Sequence, residues 1–167
     1  MPEDLYEDCL AWSERQAGLL RRLAAGERVN DELDWPNVIE EIQDVGLSEL
    51  HAVRSLLARS LEHLLKARGW PDGPVQHWKR EIRAFLSDAN RQVTPSMHRR
   101  LDIPDLYERA RLLIADDDLD GRAPRTLPEN CPFVVENLIV KGKAPPDVDA
   151  LLCKLDEAAM TGGAHAG

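Results

Sequence analysis

Three neighbouring carboxylates, Glu40, Glu41 and Asp44, are the residues whose type and spacing best suit chemistry. Glu40 and Asp44 stand four positions apart. On a helix they would share a face and could hold a divalent cation, as paired carboxylates do in ferritin-like bundles. A metal-dependent hydrolase using these carboxylates with partners from other helices is one reading. The helical wheel opposes it. With Ile39 at the origin, Glu40, Asp44 and Glu41 fall at about 100°, 140° and 200°, outside the apolar arc of their segment. Bundle enzymes of this kind also repeat the carboxylate motif on a second helix, and the chain holds no second Glu-x-x-His or Glu-x-x-Glu. Surface salt bridges, or bonds to neighbouring caps and Arg side chains, explain the three better. No catalytic, cofactor-binding or metal-binding residue is therefore assigned.

The other chemistry-bearing residues are scattered. His63 falls at about 240° on the same wheel and lies ~28 Å along the axis from Asp44, too far for one ion. It reads as a hydrogen-bonded histidine at the edge of a core. His51, His77, His98 and His165 lack ligand spacing, and no nucleophile elbow, phosphate-binding loop or dinucleotide fingerprint occurs. The run DDDLD at 116–120 superficially resembles a calcium loop but is read as lacking both the Gly at the sixth position and the terminal Glu, and capping with solvation accounts for it. Cys9, Cys131 and Cys153 are odd in number and widely spaced, which argues against structural zinc and a disulfide framework. Cys9 and Cys153 fall in apolar registers of helical segments, so buried free thiols are expected.

The elements that position these residues are helical. Ile39, Ile42, Gly46, Leu50, Val53, Leu57, Leu61 and Leu64 recur with a mean period close to the ~3.6 of an α-helix. Val38, Val45, Leu47, Leu56 and Leu65 widen the apolar arc to about 200°, twice what a surface helix needs. The pattern predicts one long, deeply buried helix from Asp34 to Gly69, with another backbone close to Gly46. Asp34 suits its N-cap, Pro36 its first turn and Gly69 its end. A helix is expected before it over Asp4–Ala24. After the turn GWPDGP, helices are expected over Val75–Val93, with Trp78 and Ile82 inward, and over Ile103–Ala115. A short helix opens at Cys131-Pro132 and reaches Val140, and Pro145-Pro146-Asp147 starts a last amphipathic segment. The end, TGGAHAG, reads as a flexible tail.

The 167 residues suffice for one core, and 43% apolar with 31% charged content fits a globular chain. No apolar run approaches the ~20 residues of a membrane helix, and the acidic start is unlike a secretory signal, so a cytoplasmic protein is expected. The net charge of −9 is unevenly spread: −9 over residues 1–50, +6 over 51–100 and −6 over 101–167. Helices of opposite charge packing side by side, within the chain or between subunits, explain this alternation. Nucleic acid is disfavoured as a partner, because the basic residues Lys79, Arg80 and Arg83 accompany a Trp78 that sits in the apolar register instead of offering a stacking platform.

These pieces together resemble a bacterial family catalogued as domain of unknown function 29. The resemblance is carried by Asp8, Trp12 and Gln16-Ala17, by LDWPNVIEEIQDVG at 33–46, and by His63-Leu64-Leu65-Lys66. Trp78 with Ile82, Thr94-Pro95-Ser96-Met97 and Cys131-Pro132-Phe133 add to it, and it covers roughly residues 5 to 140. Cys9 replaces an aromatic, the end of the third helix looks shortened, and residues 146–167 run past the shared region. The resemblance implies an all-helical bundle in a bacterium and no established activity. The expectation is an all-α, antiparallel bundle of about four main helices with short C-terminal helices, one domain over 1–160 and a tail over 161–167. The expected role is a non-enzymatic protein–protein interaction module without cofactor, with a protein partner or self-association and no membrane or small-molecule partner.

Overall fold

Asp8 caps the first described helix by accepting a hydrogen bond from Ala11 N at 3.0 Å. A computed structural model describes residues 5, 8–140, 144 and 146–162. The expected helical start at Asp4, Pro145 and the tail beyond Gly162, with His165, lie outside them. Among the described residues seven α-helices follow in order: α1 Cys9–Ala24, α2 Trp35–Gly69, α3 Val75–Gln92, α4 Pro95–His98, α5 Ile103–Ala115, α6 Val135–Leu138 and α7 Val148–Gly162. A single 3-10 turn, Asn30–Glu32, precedes α2. The fold is an all-α helical bundle with no strand among the described residues. α7 runs through Gly162, into the stretch expected as tail. α6 is shorter than expected, and Thr94 caps the extra turn α4.

The chain packs as two compact units, Met1–Ser48 and Glu49–Gly167. In the first, α1 ends where Gly26 adopts φ 91°, a left-handed conformation that glycine takes without a Cβ penalty. Leu19, Val29 and Leu33 form its small core, flanked by Leu20, Leu23 and Trp35. Asp34 is its polar centre. Trp12 Nε1 and Asn37 Nδ2 donate to its carboxylate at 3.1 and 2.7 Å, and its own backbone N–H donates to the buried Gln16 Oε1 at 3.0 Å. These bonds explain how Gln16, a buried polar side chain, is tolerated.

The second unit holds the larger core. From α2 it takes Leu50, Val53, Leu57, Leu61, Leu64 and Leu65, and from α3 Trp78, Ile82, Leu86 and Ala89. α5 adds Ile103, Leu106, Tyr107, Ala110 and Ile114, and α7 adds Val148, Leu151 and Leu155. The long connection after α5 is tied down at polar points. Trp70 Nε1 donates to Arg122 O at 2.7 Å, Arg125 N donates to Gly69 O at 2.9 Å, and Tyr107 Oη donates to Pro128 O at 2.8 Å. A Cβ on Gly69 would stand 2.9 Å from Pro124 Cβ, so this end of α2 needs a glycine for the close approach, not for a left-handed stop. Asn90 fastens α6 by donating to Leu138 O at 3.0 Å and accepting from Val140 N at 2.7 Å.

One expectation about α2 is half corrected. The helix is single and continuous, but apart from Val38 the wide apolar arc is buried only from Leu50 onward. Ile39, Ile42 and Val45 are 51%, 67% and 69% exposed, and every residue from Ile42 to Glu49 is exposed. Nothing lies within 4 Å of a Cβ built on Gly46, so no second backbone approaches it. Periodicity reports which residues share a face, and here the shared face outruns the partners that cover it. The thiol expectation is corrected too: Cys9 and Cys153 are free but exposed, and Cys131 is half-buried.

Candidate functional site

The first half of α2 carries all three carboxylates singled out from the sequence. Glu40 and Asp44 are exposed and Glu41 is half-buried. Among the described residues none of them makes an ion pair or a hydrogen bond, so they do not form the salt bridges expected of them. No group of three or more His, Cys, Asp or Glu side chains is arranged to hold a metal ion, again among the described residues. The three therefore stand on one helix without the ligands from other helices that a shared ion would need.

Across the wheel from Glu40 and Asp44 lies the uncovered apolar stripe, with Ile42 and Val45 at about 300° and 240° on the same origin. Ile39 and Ile42 are three positions apart and Gly46 follows four later, the spacing that presents successive side chains to one partner helix. Val45 lies on the same side. Val38, on the edge of this stripe, is buried in the first unit, so the face that packs at Val38 continues as exposed Ile42 and Val45. Across Val29 to Val53 the chain has seven carboxylates and no Lys or Arg. The stripe is thus apolar in contact and acidic in surroundings. Sequence reasoning had placed these aliphatics in the core. The signal that could have separated them is the absence of any cation between Arg28 and Arg54 to neutralise the flanks.

The second unit places the remaining candidates. His63 Nε2 stands 2.6 Å from Glu81 Oε2, its Nδ1 stands 2.8 Å from Arg59 O, and its ring meets Phe85 edge-on at 5.6 Å. The doubly protonated ring can donate to both acceptors, whereas the neutral ring donates to one. His63 is thus the hydrogen-bonded core-edge histidine anticipated, and His77 Nε2 lies 3.5 Å from the same Glu81 oxygen. His98 Nε2 lies 3.8 Å from Glu136 Oε1, and His51 is exposed.

The Asp116–Asp120 run builds a tight turn. Counted from Asp116, Gly121 does hold the sixth position of a calcium-type loop. However, Asp118 Oδ1 accepts from Gly121 N at 2.9 Å, and the Arg122 carbonyl is already taken by Trp70. Asp120 and Gly121 both have positive φ, 52° and 74°, as a tight reversal between paired Leu119 and Arg122 requires. Asp117 and Asp118 thus cap backbone N–H groups within the turn.

Two open clefts adjoin α4, of about 560 and 350 Å³. The larger has Leu101, Ile103 and Phe133 along it and mixed charges, Arg99, Asp102 and Glu136, at its rim. Neither cleft includes Glu40, Glu41 or Asp44. The charge alternation is met by internal pairing in this unit. Arg68 pairs with Asp156 at 2.7 Å, Arg54 with Asp105 at 3.6 Å, and Lys79 with Asp149. The Lys79 hydrogen bond holds the Asp149 carboxyl below the usual range, with Arg83 adding to the effect. Arg80 has no ion-pair partner among the described residues.

Comparisons with known proteins agree with this architecture. The family model described as Domain of unknown function DUF29 matches residues 5–142. No curated protein matches the chain. Among solved structures, an alpha-helical protein of unknown function from Rhodospirillum rubrum ATCC 11170 is similar, at 26% identity and a TM-score of 0.64, over 92% of this chain and 98% of that one.

Proposed function

We propose, for a chain that belongs to the family of Domain of unknown function DUF29, the role of a non-enzymatic module that docks a protein partner on the first half of α2. The observation that carries this reading is the exposure of Ile39, Ile42 and Val45 on a stretch where every residue from Ile42 to Glu49 faces water. Single exposed aliphatics are ordinary, but an aligned row of them on a regular helix marks a face that packs against something. No helix among the described residues is long and apolar enough to cross a membrane, and the row is only three aliphatics long, so lipid is a poor occupant. We take the compartment to be the bacterial cytoplasm, where thiols such as Cys9 and Cys153 stay reduced. We take residues 1–160 as one domain, since the single helix α2 supplies buried Val38 to one unit and buried Leu50 to the other.

The test is site-specific photocrosslinking in the producing bacterium. A benzophenone side chain replaces Ile42, and in a control replaces Met160, which is 70% exposed on α7. A discrete adduct from position 42 and none from position 160 is the expected result. Equal or absent labelling at the two positions would refute the docking role.

A further inference from the structure

We draw no further inference here: the strongest candidate, the exposed apolar face of α2 at Ile39, Ile42 and Val45, carries nothing beyond the docking role, because Glu40 and Asp44 lie across the helix from it and nothing in the structure shows what covers it.

Discussion

Ile42 and Leu57 lie on the same helix, and truncating each to alanine should give very different costs. Leu57 is fully buried, at 0% exposure, within the larger core. Leu57→Ala removes its packing and leaves a cavity that close-packed neighbours fill only in part, costing about 2–5 kcal/mol. At Ile42, 67% of the residue is already in water. Only about a third of the ~2–3 kcal/mol available from burying an isoleucine is at stake there, so less than ~1 kcal/mol is lost. Alanine's better helix propensity offsets about 0.4 kcal/mol of that loss. The net change for Ile42→Ala is thus about 0–0.5 kcal/mol. Urea unfolding followed by circular dichroism on dilute protein separates the two predictions easily, provided both variants keep the wild-type denaturant slope. A loss at Ile42 comparable to that at Leu57 would refute the division of α2 into an uncovered first half and a buried second half. A loss at Ile42 that grows with protein concentration would instead show a second copy covering the face.

Two glycines should respond with opposite signs. Gly73→Ala places a Cβ 2.8 Å from Trp78 Cη2 and 2.9 Å from Leu119 Cδ2, and should destabilise by about 1–3 kcal/mol; Gly46→Ala meets nothing and should stabilise by up to about 1 kcal/mol, both read as melting shifts by calorimetry. Hydrogen bonds from Asn37, and then from Trp12, hold the Asp34 carboxyl below its ordinary value of 3.8. The unfolded chain therefore takes up this proton first as pH falls, and the stabilisation is full above the ordinary value and lost as pH drops through the lower folded one. Asp34→Asn should consequently cost stability at pH 7 and progressively less below about pH 4, and a gap that stays constant with pH would contradict this. Among the thiols, exposed Cys9 and Cys153 should react quickly with Ellman's reagent in the native protein. Cys131, half-buried and with its thiol pushed up by burial, should lag until the chain unfolds.

The helices themselves were legible because each carries a period, a cap and a stop. Asp34 and Gly69 mark boundaries that the structure places within a residue of those expected, and Trp78 and Ile82 are buried as their register requires. What periodicity could not convey is coverage. Ile42 and Leu57 look alike in the sequence, and only the folded chain shows that Leu57 is fully buried and Ile42 mostly in water. The same limit explains Cys9 and Cys153, whose apolar register was right and whose burial was not. The carboxylates Glu40, Glu41 and Asp44 were legible as lying off the apolar arc, but their lack of any counter-charge depends on where the cations of other segments go. Lys79 and Arg68 go to α7, and no residue spacing announces that.

An uninterrupted helix whose turns between Val38 and Leu50 are exposed has an unusual order of opening. Two turns alone fall far short of the ~12–15 residues at which isolated helices become marginal in water. The stretch from Ile42 to Glu49 therefore persists because Val38 on one side and Leu50 on the other are held in place. Its amide hydrogens should exchange through a local opening that costs far less than global unfolding, while those from Val53 to Leu65 should wait for the whole unit to unfold. The longest helix of the chain would then loosen from its interior sooner than from its buried end, and a protease should nick it there first. Anything that packs along those turns would slow that exchange, so the protection of eight amides becomes a direct gauge of whether the face is occupied.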